Sequence, residues 1–554
     1  LTLDDLGVHP TAPPVDEAAR ASGAVAPAPD GPARRRRRAT AVAVGLALAL
    51  GLVFRFVTVS DLWLDEALTV NIARLPLGQL FQALRHDGAP PLYYLLLHGW
   101  MDMAGTGDVA ARALSGLLAV GSLPLMWVAG RRMGRDRDPV LARWVAWAAL
   151  LLLASSPFAI RYATEARMYS LVVLLVLAGF LALDTVLRRR SPRAAVVVGL
   201  ATGLLLLTHY WAFYLLGAVV ALLVVRWKGA DPAGRAGVRR ALLAMAVGSL
   251  LFLPWLPSFL EQMRATGTPW GGPARFRSAF EVVLQFATGL PDTSLPLGLL
   301  LYGLLALGLF GAATGGRAAG GIVTLDLRGR PPGRMLAAAA GLTVALAIGV
   351  GRVTGSAFAI RYAAVVLPMV LLLAALGSAT LVGSRAGVLV LAVAVVLGFV
   401  TAIPHLAGNR TSAGRVATAL RADAGPGDVV AYCPDQLGPS VSRLLERGLA
   451  GGGTGADLVQ LTFPRAASPE LVDWVGYEAA NKAAAPAPFA QMLLDRAGPD
   501  RSVWVVWAPG YRTFGTKCQA LLTALRQARP QERRVVNVAT KTFERPGLVQ
   551  YPPP

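Results

Sequence analysis

The sequence predicts a polytopic α-helical membrane protein of about eleven transmembrane helices, followed by a C-terminal extracytoplasmic α/β domain. Three observations lead there. Apolar runs of roughly 20 residues recur between positions 39 and 404, the length that crosses about 30 Å of hydrocarbon. Arginine clusters separate these runs at alternate connections, as they do where basic loops stay on the cytoplasmic side. After residue 404 the pattern changes to short strand-like and helix-like segments. Composition agrees, since the 554 residues are 55% hydrophobic and only 15% charged, against about a quarter charged in soluble domains. The formal net charge of +21 follows the loops between spans, so it is read as a topology signal and not as a nucleic-acid surface.

Residues 1–38 are rich in Pro and Ala without apolar period and read as a disordered cytoplasmic tail. No small-residue cleavage site follows the first apolar run, so it is not read as a signal peptide. Arg34–Arg38 hold the N-terminus inside and residues 39–57 span outward. A long outer loop, 58–108, contains "PLYYLLLHGWM" (91–101), whose dozen residues reach only about 18 Å and so lie flat. Further spans run near 109–130, 139–157, 167–187, 194–208, 211–226, 240–258, 295–314, 335–351, 362–382 and 386–404. With the short segment flat, the cluster at 131–138, Arg188–Arg190, the basic residues 226–240 and Arg317, Arg328, Arg330 and Arg334 all face inside. The membrane domain is thus 39–404 and the outer domain 405–554. In the latter, "DVVAYC", "DRSVWVVWAPG" and "RRVVNVATKTFE" read as strands and "TKCQALLTALRQARP" as a helix. The chain's two cysteines, Cys433 and Cys518, both fall there, and an even pair on the oxidising side suggests a disulfide, with two buried thiols as the alternative.

The polar chemistry gathers on the outer side. The first loop opens with "LWLDEALTV", placing Asp65 beside Glu66, and continues to His86 and Asp87. The second outer loop, "SPFAIRYATEARMYS", holds Arg161, Tyr162, Glu165 and Arg167; the third holds His209 and Tyr210; a late one holds Arg361 and Tyr362. Charges at membrane depth face a cavity or a partner. Arginines suit a phosphate, a carboxylate takes a hydroxyl proton, and aromatic faces stack on sugar. Plainer roles exist for each: a helix cap for Asp65, a first-turn acid for Glu66, an ion pair of Glu165 with Arg161 or Arg167, an aromatic belt for His209, a helix-end anchor for Arg361 and Tyr362.

The order "WLDEALT", "PPLYY", Arg112–Ser115 (R-x-L-S), "SPFAIRYATEARMYSL" and "RYAAVVLP" resembles the GT-C glycosyltransferases of the protein O-mannosyltransferase type. Bacterial members using polyprenyl-phosphate sugars, such as aminoarabinose and arabinofuranosyl transferases, look most similar, and the resemblance covers roughly 40–405. It implies a plasma-membrane enzyme that transfers a sugar, arabinofuranose or mannose, with inversion from a polyprenyl-phosphate donor to a glycan, lipid or protein acceptor. It implies Asp65 as general base, Glu66 orienting the acceptor or Asp65, Glu165 as a second acid, and Arg161, Arg167 or Arg361 on the donor phosphate. A divalent cation is left open, with His86, Asp87, Glu165 and His209 as the available ligands. The outer domain resembles those thought to bind glycan. A lipid-sugar flippase or transporter, and a non-catalytic scaffold, are the competing classes; a transporter would show internal repeats, and none is seen.

Overall fold

The computed structural model describes residues 32–135, 138–266, 271–272, 274–289, 295–312, 324–329, 331–355, 358–449, 458–539 and 542–554. The predicted tail lies outside the described residues up to position 31, as do Arg317 and Arg330. The chain divides into a unit ending at Leu46 and a second running from Ala47 to Pro554. Helix α1 (Pro32–Val53) starts inside the predicted tail, with Arg34–Arg38 in its first turns.

Three short helices form the first loop: α2 (Leu64–Ala73), α3 (Leu77–Asp87) and α4 (Leu92–Ala104). The thirteen residues of α4 cover about 20 Å. It is held by Tyr93 Oη against Ser115 Oγ at 2.7 Å and by the Leu92 N–H donating to the Leu207 carbonyl at 2.9 Å. Next come α5 (Asp108–Gly134), α6 (Pro139–Ala154), α7 (Pro157–Ala163), α8 (Tyr169–Arg189), α9 (Pro192–Leu206), α10 (Ala212–Gly229) and α11 (Pro232–Ser249). A 3₁₀ segment, Leu250–Trp255, leads into α12 (Leu256–Ala265), then α13 (Ser278–Thr288) and α14 (Leu295–Phe310). After the two-residue strands β1 (Gly311–Ala312) and β2 (Thr324–Leu325) come α15 (Pro331–Thr354), a 3₁₀ segment Ile360–Val366 continuing into α16 (Leu367–Ser378), and α17 (Arg385–Ala407).

Local sequence sets several of these starts. Asp138, Ser156, Ser191 and Asp231 each cap a helix whose first residue is proline, accepting from an N–H two or three residues on. The side chain satisfies an orphan donor, and proline removes another at no cost. Among the described residues, seven helices are long and apolar enough to cross a membrane, or eight if α6 and α7, bent by 53°, count as one. The other three of the eleven predicted segments are α1, whose leading arginines dilute its apolar stretch, and the shorter apolar α9 and α14. Close packing needs small residues: a Cβ on Gly134 of α5 would lie 2.5 Å from the Ala142 Cα of α6.

Beyond α17 the chain forms a layered α/β domain with α18 (Ala413–Asp423), β3 (Val429–Cys433), α19 (Gly438–Leu449), β4 (Val459–Thr462), α20 (Tyr477–Ala483), α21 (Pro486–Ala497), β5 (Val503–Trp507), α22 (Lys517–Ala528), β6 (Arg533–Val536) and β7 (Gly547–Tyr551). The sheet order is β4-β3-β5-β7-β6, with β3 parallel to β4 and β5, and β7 antiparallel to β5 and β6. Alternation sorts the faces: Val430, Tyr432, Trp504 and Val506 pack with α18 and α19, while Val429, Ala431, Val503 and Val505 share a core with α21 and α22. Cys433 and Cys518 are joined as a disulfide between β3 and α22. This domain rests on the first-loop helices: Asn71 donates to the Glu470 carbonyl at 2.9 Å, Trp474 N–H to the His86 carbonyl at 3.1 Å, and Arg74 pairs with Glu446 at 3.4 Å.

Candidate active site

The adjacent acids of α2 point to two different environments, because successive helical residues are rotated by about 100°. Trp63 stands at the N-cap and supplies no side-chain cap, so Asp65 is not the helix cap. Asp65 keeps 20% of its side chain exposed, and its Oδ2 lies 3.3 Å from Arg361 Nη2. One turn on, Thr69 donates to the Asp65 carbonyl at 2.6 Å and accepts from Arg167 Nη1 at 2.7 Å; the same nitrogen reaches the Asp65 carbonyl at 3.3 Å. Arg361 thus reaches the half-open carboxylate, while Arg167, from a separate element, reaches the main-chain carbonyl of the same residue.

Aromatic and acidic groups complete this cluster. The Tyr94 hydroxyl donates to Asp87 Oδ2 at 2.7 Å. Desolvation pushes the Asp87 carboxyl upward, nearby Asp65 adds to that, and Arg167 and the Tyr94 hydroxyl pull the other way. His209 packs on Tyr362 at 5.0 Å and Tyr169 at 5.9 Å between ring centres, and Trp211 lies 6.1 Å from Tyr362. Its Nδ1 accepts from the Trp211 N–H at 3.1 Å, and burial, then Arg167 and Arg361, lower it to about 3, so it is neutral at physiological pH.

Glu66 faces inward and is fully buried. Arg112 clamps it with Nε to Oε1 and Nη2 to Oε2, both at 2.7 Å; the Ala166 N–H donates to Oε1 at 3.0 Å, and Arg410 Nη1 is 3.5 Å from Oε2. Burial alone would raise its pKa, but the Arg112 and Arg410 charges and these hydrogen bonds outweigh it, and the carboxyl lies below its ordinary value. Both oxygens of Glu66 are thus engaged by Arg112, one of them also by the Ala166 N–H and the other lying near Arg410. Glu165 is likewise inside, 2.9 Å from Arg161 and 3.9 Å from Arg410. Arg410 also donates to the Thr164 carbonyl at 2.7 Å and its hydroxyl at 2.6 Å. The second acid and Arg161 therefore form a buried ion pair with each other.

The remaining candidates separate. His86 pairs with Asp473 at 2.9 Å on the C-terminal domain. The Tyr210 hydroxyl is bound to Gln262 and receives Trp255 Nε1 at 3.0 Å. Tyr162 packs between Phe158 and Tyr169, each at 4.5 Å, with the Arg161 guanidinium 5.8 Å over its ring. Among the described residues no three His, Cys, Asp or Glu side chains gather to hold a metal. His86, Asp87, Glu165 and His209 have other partners, and His209 faces two arginines, which repel a cation, so these four do not fit as a ligand set. Sequence reasoning gave no role to Arg410, Arg112 and Tyr94. Arg112 had a signal, a charge in the first turns of an apolar helix; Arg410 sits in "GNRTS", where local pattern has nothing to say.

No family model matches the chain. It is 27% identical over 174 residues to the lipid A galacturonosyltransferase RgtD of Rhizobium johnstonii, a stretch of 31% of this chain and 34% of that protein, so the chain matches about a third of that relative's length. Two crystal structures of ArnT from Cupriavidus metallidurans superpose over 93% of this chain and 98% of theirs. The undecaprenyl-phosphate-bound one has a TM-score of 0.54 at 13% identity, the apo one 0.55 at 14%. The chain shares their fold, which here consists of apolar helices long enough to cross a membrane followed by an α/β domain.

Proposed function

We propose that this chain is a membrane glycosyltransferase that transfers a sugar from a polyprenyl-phosphate donor to a hydroxyl of a cell-envelope glycan, lipid or protein. The observation that carries the reading is the half-open Asp65 flanked by Arg361 and Arg167. The acceptor oxygen attacks the anomeric carbon from the face opposite the phosphate, its proton passes to Asp65, and the bond from the anomeric carbon to the phosphate oxygen breaks. The polyprenyl phosphate leaves with that electron pair, and Arg361 and Arg167 stabilise its growing charge. Asp65 and Arg361 hold each other in place until the phosphate competes for the guanidinium. Neutral His209 and the Tyr169 and Tyr362 rings form the apolar-faced wall against which a sugar ring packs.

Support for the donor class is the shared fold with ArnT, whose structure is bound to undecaprenyl phosphate, and for sugar transfer the similarity to RgtD. The reading places the protein in the plasma membrane, its N-terminus cytoplasmic and its α/β domain outside. Arginines at the ends of α5 and α8, and Arg226 and Lys228 at the end of α10, support that orientation, as does the Cys433–Cys518 disulfide. A donor panel of polyprenyl-phosphate arabinofuranose, mannose and galacturonate tests it with purified protein: arabinofuranose or mannose is the expected substrate. Transfer from a soluble nucleotide sugar in place of all three would overturn the reading.

A further inference from the structure

Tyr169 opens α8 two residues after Arg167, in the stretch "EARMY". The residue is 1% exposed, and its ring packs on Tyr162 at 4.5 Å and on His209 at 5.9 Å. A phenylalanine ring would pack there equally well, so packing leaves the hydroxyl unexplained. A buried tyrosine normally spends its hydroxyl on a partner. Tyr93, Tyr94, Tyr432, Tyr477 and Tyr551, all 2% exposed or less, do so with Ser115, Asp87, Gln460, Asp435 and the Leu522 carbonyl. Tyr169 does not: among the described residues no group bonds its Oη. A fold that keeps an unpaired buried polar atom gives up stability for it, as binding and catalytic sites do.

The surroundings of this hydroxyl indicate what it serves. Helix α8 packs against the 3₁₀ segment Ile360–Val366, which carries Arg361. His209 packs on both the Tyr169 and the Tyr362 ring, and the Arg361 guanidinium lies 5.5 Å over Tyr362. Arg167 is only two residues away in the chain, so its Cα is within about 7 Å. Its Nη1 bonds Thr69 and the Asp65 carbonyl, but its Nε is buried without a partner. Of all charges, those of Arg361 and Arg167 act most strongly on the Tyr169 hydroxyl. Two donors in one neighbourhood, an O–H and an N–H, are therefore unspent. An ionised phosphate diester suits them, because its oxygens accept hydrogen bonds and donate none. Tyr169 also borders a small cavity shared with Arg55, Ser122 and Ser170, so a water seated there is the competing partner.

We propose that Tyr169 is a further catalytic residue, whose hydroxyl donates a hydrogen bond to an oxygen of the donor's phosphate beside Arg361 and Arg167. The inference rests on the reading of this cluster as the donor-phosphate site. No proton is transferred to the phosphate. The hydrogen bond strengthens as the bond from the anomeric carbon to the phosphate oxygen breaks, because that electron pair leaves with the phosphate and charge collects on its oxygens.

Tyr169→Phe removes the hydroxyl and keeps the ring, and three measurements on the full-length chain judge it. Without lipid, its melting temperature in detergent stays at or above the parent's, because an unpaired buried polar atom has gone. Tyr93→Phe, which breaks the bond to Ser115, melts lower and calibrates the comparison. Undecaprenyl phosphate binds the Tyr169 variant about 10-fold more weakly, while undecaprenol, which lacks the phosphate, binds it as it binds the parent. In transfer from a polyprenyl-phosphate sugar, kcat falls about 10²-fold. A lipid-free melting temperature below the parent's would assign the hydroxyl to the fold, through a water in the cavity, and overturn the proposal. Undecaprenyl phosphate bound at parent affinity overturns it too, and a fall in turnover beside it would move the hydroxyl to the sugar or the acceptor. In that case the donor reading still stands. A parent chain that binds undecaprenyl phosphate no better than undecaprenol sinks the donor reading itself, and this proposal with it.

Discussion

Asp65 and Glu66 differ by one position and have opposite consequences. Asp65→Asn keeps the size and loses the base, so transfer slows about 10²- to 10⁴-fold while polyprenyl phosphate still binds. A variant turning over at the parent rate in a purified assay refutes the assignment. Glu66→Gln leaves Arg112 and Arg410 facing a neutral amide in the interior, and losing one partner of such a buried pair costs about 3–5 kcal/mol. Its melting temperature in detergent therefore drops, whereas the Asp65 variant melts near the parent; equal melting of the two contradicts the structural role. Glu544, buried in the α/β domain where it accepts from Ser440 Oγ at 3.0 Å, adds a pH effect. Its carboxyl moves from 4.5 to about 8 on burial, with Asp65 and Tyr511 the titratable groups facing it. The folded chain keeps a proton that the unfolded chain releases above about pH 4.5, so this group subtracts stability as pH rises from about 4.5 to about 8 and nothing more beyond. The melting difference between Glu544→Gln and the parent is expected to widen in favour of the variant across that window. A difference constant with pH would show that Glu544 titrates normally.

Among helices, the α5–α6 seam shows how a small residue sets an architecture. Gly130 and Gly134 are one turn apart on α5, and a Cβ on either would press within 3 Å of α6 backbone, so the two helices touch main chain to main chain. Gly134→Val must push them apart at roughly 1–3 kcal/mol. Gly341→Ala in α15, where an added Cβ meets nothing within 4 Å, serves as the neutral control. Thermal unfolding in detergent separates the two, and equal midpoints would show that the seam yields freely. The motif Gly-Arg-Arg-Met-Gly stood in the sequence, but its partner helix did not: spacing announces a face that tolerates close approach without saying what approaches.

For the molecule as a whole, sidedness and the coupling of two domains are the issue. The orientation argued above expects single cysteines introduced near positions 160 and 480 to react with a membrane-impermeant thiol reagent in intact cells. A protected position near 160 beside a reactive one near 480 would mean a wrong span count between them and a site on the wrong face. The disulfide joins residues 85 apart, and in the chain-entropy account closing such a loop is worth about 4–5 kcal/mol. Cys433→Ser with Cys518→Ser is expected to make the α/β domain markedly more sensitive to protease, and unchanged resistance would show that its layered core suffices alone.

The sequence by itself determined that the chain is a multi-helix membrane protein, where its apolar segments lie, and that an α/β unit follows them. Those features depend on local composition and period, which each segment carries within itself. It also marked Asp65, Arg167, Arg361, His209 and Tyr362, because polar side chains at the edge of apolar runs stand out against their neighbours. Tertiary structure alone decided which of the marked residues share a space. It set Asp65 half open and buried Glu66 against Arg112, sent Arg161 to Glu165, and turned His86 and Tyr210 toward other partners. It also brought in Arg410, which carries no local signal. An ion pair such as Arg410 with Glu66 is a relation between segments hundreds of residues apart, and the physics that creates it, desolvation and hydrogen-bond geometry, acts only once packing has placed both partners.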